Sequence, residues 1–219
     1  MRRRITSLRY RTAGGEQGVM QPGSHGRVLH NLLGITRKRE MDVAEYETLV
    51  AVQEKYLGCV GPDTQMTADL LCQMHRDWLG KLYAWAGCYR TVELAKGKFK
   101  WPPAYLVEQN MKVFERETLI RFTPCWPDAA TDISHALAVV HAELLLIHPF
   151  REGNGRLARW LADLMAAQAG LYLPKYQFTG RGAQASRAEY LEAVQRGYAG
   201  DYRALETFFA RALERGRGA

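Results

Sequence analysis

His148, Glu152, Arg156 and Arg159 bring a titratable ring, a carboxylate and two guanidinium groups into the twelve-residue stretch His148-Pro149-Phe150-Arg151-Glu152-Gly153-Asn154-Gly155-Arg156-Leu157-Ala158-Arg159. The residues between them matter as much. Gly153, Asn154 and Gly155 are the types that best tolerate the backbone of a tight turn. A glycine-rich turn running into a helix presents unpaired N–H groups and the positive end of the helix dipole to one point, which suits a phosphate. Arg156 and Arg159, three apart, can fork onto further phosphate oxygens. Glu152 adds one hard oxygen ligand, enough for a Mg2+ ion held mainly by nucleotide and water. His148 is the group here that takes a proton near neutral pH. Taken one at a time, these residues have bland readings: a capping histidine, or a solvated helix face with Arg159 paired to Asp163. Taken together they describe a phosphoryl or nucleotidyl transfer site.

Two helices must position this stretch. Upstream, Ile133, Leu137, Val140, Leu144 and Ile147 recur at helical spacing, and Ala136, Val139, Leu145 and Leu146 make the segment apolar nearly all round, as a buried central helix reads. Pro149 cannot continue it. Downstream, Leu157, Leu161 and Leu164 form one stripe of a second helix, with Arg156, Arg159 and Asp163 on another.

The twelve residues match H-x-F-x-[D/E]-G-N-G-R-x-x-R at every fixed position, and so resemble the motif of the Fic (filamentation induced by cAMP) family. The resemblance implies an all-α, Fic-type helical domain with a small β-hairpin flap, and transfer of AMP from ATP to a Tyr, Thr or Ser hydroxyl of a target protein. It implies His148 as general base, Phe150 as the structural anchor of the loop and Glu152 as the Mg2+ ligand. Gly153, Asn154 and Gly155 would cradle the α-phosphate, and Arg156 and Arg159 would take the β- and γ-phosphates. Two further stretches are similar to the family: Val28-Leu29-His30-Asn31-Leu32-Leu33-Gly34-Ile35, and Trp85-Ala86-Gly87 before the flap.

At 219 residues the chain can form one domain with arms and bury roughly 70% of its unfolded surface. A hydrophobic share of 47% beside 24% charged residues is that of a globular domain. Cys59, Cys72, Cys88 and Cys125 form no C-x-x-C pair, which points to reduced thiols and a cytoplasmic protein, with delivery into another cell compatible. No apolar run reaches membrane-spanning length, so no membrane partner is expected. The net charge of +7 gathers largely at Arg2-Arg3-Arg4, Arg9 and Arg11 and at Arg211, Arg215 and Arg217. No aromatic-interleaved basic surface accompanies it, so direct nucleic-acid binding is not expected.

Residues 1–22 read as a basic, flexible arm and residues 23–219 as a single domain with its core motif at 148–159. Asp42 with Glu45 suggests a helix entry, with Val43, Tyr46, Leu49, Val50 and Leu57 on its apolar side. A second helix is predicted from about Thr67 to Leu79, with Leu70, Leu71, Met74 and Trp78 inward and His75 structural. Thr91–Ala95 and Lys98–Trp101, around Lys96-Gly97, read as two short strands within a flap spanning about 90–102. In the family this hairpin registers the target segment by strand addition and covers the nucleotide, which makes Lys96 and Gly97 candidate ATP contacts. Leu106, Val107, Met111 and Phe114 mark another helix, Asp128 or Asp132 would cap the central one, and Ser186 with Glu189 opens a helix closing at Gly197. Asp201 opens the last, with Leu205, Phe208, Phe209 and Ala212 on its buried side.

Many family members are inhibited by a glutamate of an [S/T]-x-x-x-E-[G/N] helix. Thr12-Ala13-Gly14-Gly15-Glu16-Gln17 and Thr36-Arg37-Lys38-Arg39-Glu40-Met41 both lack its final residue. Inhibition by a small antitoxin-like partner acting in trans, as for toxin-like members, is the resulting expectation. The same analogy suggests the ATPase subunit of a type II topoisomerase as target. The competing reading is a non-catalytic, regulatory Fic-fold binding module, which an intact His148 disfavours.

Overall fold

The computed structural model describes residues 11–13, 15–126 and 133–218. Among these residues eight α-helices and three short strands are formed: β1 (Arg11–Ala13), α1 (Lys38–Cys59), α2 (Ala68–Leu79), β2 (Glu93–Lys96), β3 (Phe99–Lys100), α3 (Val107–Phe114), α4 (Ile120–Phe122), α5 (Ile133–Ile147), α6 (Asn154–Gln168), α7 (Ala183–Gly197) and α8 (Arg203–Arg217). A π-helical turn at Glu115–Leu119 joins α3 to α4. The helical domain with a hairpin is as expected. The Asp128 or Asp132 cap lies outside the described residues.

Helix α5 is the axis of the domain. Ala136, Leu137, Ala138, Val140, Ala142 and Leu144 are all buried, because α6, α8, α7 and α3 pack around it. A helix apolar on every side is stable in water only when surrounded in this way. Thr67 caps α2, its side-chain oxygen accepting from the Leu70 amide at 3.0 Å, and Leu71, Met74 and Trp78 point into the same core.

Expectations shift in α1, α7 and the flap strands. The buried side of α1 is Met41, Glu45, Leu49 and Tyr56, whereas Val43, Tyr46, Val50 and Leu57 face outward. A buried carboxylate in the middle of the stripe hides the true face from a reading of apolar residues alone. Helix α7 starts at Ala183 behind a left-handed Gly182, three residues before the Ser186–Glu189 box. The strands occupy Glu93–Lys96 and Phe99–Lys100, so the turn centres on Gly97, at φ +61°, and Lys98.

The sheet has the order β1-β2-β3, with β1 antiparallel to β2 in the register Arg11↔Ala95, Thr12↔Leu94 and Ala13↔Glu93. Of the residues expected to form a flexible arm, 11–13 pair with the flap through β1. The buried Gln17 fixes the next turn, accepting from the Thr91 amide at 3.0 Å and donating to the Tyr89 carbonyl at 3.4 Å. These partners are more than 70 residues away along the chain, which is why local composition read the arm as unstructured. No helix among the described residues is long and apolar enough to cross a membrane, and all four cysteines are free thiols.

Candidate active site

The chain reverses between α5 and α6 through a loop whose geometry is set by two left-handed residues, His148 at φ +53° and Gly153 at φ +86°. Gly153 has no substitute here: a Cβ would lie 2.8 Å from Cζ3 of Trp78 in addition to the backbone strain. Asn154 closes the loop on itself. Its Oδ1 accepts from the Phe150 amide at 2.9 Å and its Nδ2 donates to the Phe150 carbonyl at 2.7 Å. That side chain is therefore spent on the loop, and the main-chain N–H is what Asn154 has left to offer an anion. The Arg156 and Leu157 amides bond the Gly153 carbonyl at 2.9 Å, leaving the Asn154 and Gly155 amides as helix-start donors without an intrahelical acceptor.

Phe150 is fully buried and anchors the loop. His75 stacks on it at 4.0 Å between ring centroids. The Gly87 amide donates to His75 Nδ1 at 2.8 Å, so Nε2 carries the proton and donates to the Glu152 carbonyl at 3.1 Å. Burial pushes His75 down to about 4, so it holds this neutral form across the neutral range. The histidine is structural, as the sequence suggested, and it orients the motif.

His148 sits at the C-terminus of α5, almost fully buried. Its Nδ1 lies 3.0 Å from the Leu145 carbonyl. A carbonyl only accepts, so Nδ1 carries the hydrogen and Nε2 is left as the basic nitrogen. Trp101, just after β3, covers the imidazole at 4.2 Å between centroids and donates from Nε1 to the same Leu145 carbonyl at 2.9 Å. The flap root and the base thus share one acceptor.

The charged groups lie on the other side of the loop. Arg156 Nη1 is 2.7 Å from Glu45 Oε2 of α1, and its Nη2 is 3.7 Å from Glu152 Oε1. Its guanidinium lies over Trp78 at 4.6 Å, and its buried Nε finds no hydrogen-bond partner among the described residues. Glu45 also accepts from the Tyr83 hydroxyl at 2.7 Å and, through its carbonyl, from Trp78 Nε1 at 2.8 Å. Arg159 lies over Phe178 at 5.4 Å and Tyr190 at 6.0 Å, and no salt bridge to it is formed among the described residues. Asp163 accepts instead from the Tyr176 hydroxyl at 2.7 Å, so the pairing of Arg159 with Asp163 is not made. Burial pushes the Asp163 carboxyl up to about 7.

Glu152 Oε1 accepts from the Gly153 amide at 3.1 Å, which aims the carboxylate across the mouth of α6. No group of three or more potential metal ligands exists among the described residues. One carboxylate fits a Mg2+ ion completed by phosphate and water, and does not fit a metal held by the protein alone. Lys96 and Gly97 are exposed at the flap tip. Glu45, Arg90, Trp101 and Gln17 were missed by the sequence reading. The one usable signal was Glu45, a charged residue midway between Met41 and Leu49 at helical spacing.

Residues 65–166, from just before α2 into α6, match the family model of the Fic/DOC family. The chain is 28% identical over 150 residues to Protein adenylyltransferase VbhT of Bartonella schoenbuchensis, covering 67% of this chain and 30% of that protein. It is 26% identical over 200 residues to Probable protein adenylyltransferase y4lH of Sinorhizobium fredii, covering 90% of this chain and 96% of that one. The chain thus spans under a third of the first relative and nearly all of the second. Among solved structures it is similar to the BepC effector of Bartonella tribocorum with bound AMPPNP, at TM-score 0.65 and 20% identity over 84% of this chain and 91% of that one. A Fic domain from Bartonella quintana with bound ADP superposes at TM-score 0.66 and 19% identity, over 84% and 89%. The family match runs through the buried loop between α5 and α6 and its full motif, and residues 65–166 are therefore a Fic/DOC-family domain.

Proposed function

We propose that this protein is an ATP- and Mg2+-dependent protein adenylyltransferase, moving AMP from ATP to a Tyr, Thr or Ser hydroxyl of a target protein. The observation that carries the reading is the tautomer of His148. With Nδ1–H held on the Leu145 carbonyl, Nε2 accepts the hydroxyl proton as the oxygen attacks the α-phosphorus. A new P–O bond forms, the bond to the β-phosphate oxygen breaks, and pyrophosphate leaves.

The other groups divide the nucleotide's charge. The Asn154 and Gly155 amides and the dipole of the 15-residue α6 face the α-phosphate. Arg156 Nη1 stays on Glu45, so Nη2 is its donor for the β-phosphate side. Arg159, without a salt bridge among the described residues and resting on two aromatic rings, is assigned to the γ-phosphate. Mg2+ held on Glu152 would neutralise charge that builds on the departing phosphates. Lys96 and Gly97, at the flap tip, are assigned to the outer side of the nucleotide.

Regulation in trans by a small antitoxin-like partner goes with this reading, supported by the absence of any described carboxylate paired with Arg159. Glu40 is paired with Arg37 at 3.1 Å, and Glu16 belongs to a separate 3-10 turn. A cytoplasmic location and a topoisomerase ATPase subunit as target are part of the same proposal. The test is transfer of label from α-32P-ATP into protein in a bacterial lysate with Mg2+, beside His148→Ala and Arg159→Ala. A labelled band that disappears with His148→Ala is expected. Label only from γ-32P-ATP, or a band unchanged by His148→Ala, overturns the assignment. A wild-type protein that is silent until Glu16 or Glu40 is substituted overturns the trans regulation.

A further inference from the structure

Arg90 is 2% exposed and none of its nitrogens reaches a carboxylate to form a salt bridge among the described residues. Burial lowers its affinity for the proton, with only Glu93 acting the other way. A guanidinium kept in such a place must be held by dipoles, and it is. Nε donates to the His148 carbonyl at 2.8 Å and Nη2 to the Ile147 carbonyl at 3.4 Å, both at the negative end of α5. Nη1 donates to the Val92 carbonyl at 3.0 Å and Nη2 also to the Pro102 carbonyl at 2.6 Å. The Arg90 amide donates to the Pro149 carbonyl at 2.8 Å.

These acceptors are not scattered. Val92 and Pro102 are the two roots of the flap, on either side of β2 and β3. Ile147, His148 and Pro149 are the three residues where α5 turns into the motif loop. Among them is the left-handed His148, a conformation that persists in a non-glycine residue only when its surroundings hold it. A fork of five donors can tie two flap strands to one helix end, which the three radiating donors of a lysine cannot reproduce.

We propose that Arg90 is a positioning residue for the transfer reaction: it fixes the flap to the backbone of His148, so that a hydroxyl presented on the flap arrives at Nε2. The inference rests on the AMP-transfer reading above, and its test separates the two. Displacing a reacting group by about 1 Å costs on the order of 100-fold in rate. Arg90→Ala is therefore expected to lower kcat about 100-fold, while the affinity for ATP, carried by the α6 amides and Arg159, changes less than about 3-fold. Guanidinium ion at low millimolar concentration restores part of the rate by filling the gap. The readout independent of transfer is the 15N spectrum of the His148 ring, which shows the Nδ1–H tautomer in the wild type and a mixture of tautomers in Arg90→Ala.

A folded Arg90→Ala protein with wild-type kcat, or with an unchanged His148 spectrum, overturns the proposal. If wild type transfers no label, the AMP-transfer reading fails and the ring spectrum still decides whether Arg90 positions His148. If Arg90→Ala does not fold, Arg90→Lys carries the test. It retains the charge and is expected to show the same split between kcat and ATP affinity at smaller amplitude, with wild-type values again counting against the proposal.

Discussion

Replacing Glu45 by Gln tests whether the motif helix is held by a buried charge pair supplied from α1. Glu45 and Arg156 meet at 2.7 Å with side-chain exposures of 5% and 19%. Breaking such a pair by neutralising one partner costs about 3–5 kcal/mol, because the remaining charge stays desolvated. Two features place Glu45→Gln at the low end. Arg156 keeps some solvent and has Glu152 at 3.7 Å to turn to, and an amide oxygen still accepts from the Tyr83 hydroxyl that now bonds Glu45 at 2.7 Å. The expected loss is about 3 kcal/mol, or roughly 6–12 °C in Tm at 2–4 °C per kcal/mol for a chain of this size. Thermal melting measures it, and Glu45→Gln/Arg156→Gln should recover about 2 kcal/mol relative to additivity. The geometry also carries a second effect. Once released, the guanidinium swings onto Glu152, so the Mg2+ concentration needed for ATP binding should rise. A Glu45→Gln protein melting within about 1 °C of wild type would place the pair among exposed salt bridges of negligible worth and refute the reasoning.

Gly153→Ala forces a side chain into a φ of +86° and onto the Trp78 ring at 2.8 Å; left-handed strain of about 1–3 kcal/mol should tilt the start of α6 and weaken ATP binding by calorimetry about tenfold or more, and unchanged affinity would contradict the proposed role of the turn. Asp163 titrates near 7 when folded and near 3.8 otherwise, so the native state holds the proton longer and wild-type stability falls as pH rises from about 4 to 7, levelling above that. Asp163→Asn removes this slope while keeping the oxygen that accepts from Tyr176, and parallel melting curves for the two proteins between pH 5 and 8 would show the burial argument to be wrong. Gln17→Ala deletes the acceptor of the Thr91 amide, so hydrogen exchange at Thr91 should speed up by an order of magnitude or more, as expected for the loss of about 1–1.5 kcal/mol of local protection; equal exchange would mean that the arm does not anchor the flap.

What the sequence made legible was chemistry packed into a short span. Gly153 needs its left-handed turn because α6 begins at the very next residue, and α5 reads as central because its own composition leaves no polar face. The groups that stayed hidden are those whose reason for being there lies far along the chain. Glu45 looks like a surface residue until Arg156 and Tyr83 arrive beside it, and its burial then turns the whole of α1 so that Val43, Tyr46 and Val50 face outward. Arg90 is harder still to read, since its partners are backbone carbonyls up to 58 residues away and no side-chain pattern betrays a carbonyl. Gln17 and β1 pair with the flap across more than 70 residues, where neither spacing nor composition carries a signal. The same distinction orders the site itself. Apart from Lys96 and Gly97 at the flap tip, the residues that would touch nucleotide and hydroxyl lie within the one stretch 148–159, whereas those that aim them, His75, Arg90, Trp101 and Glu45, are brought in by α1, α2 and the flap. A substitution of Arg90 or Trp101, which hold the flap and the base and no group on the nucleotide side, should therefore change the geometry of transfer before it changes the affinity for ATP.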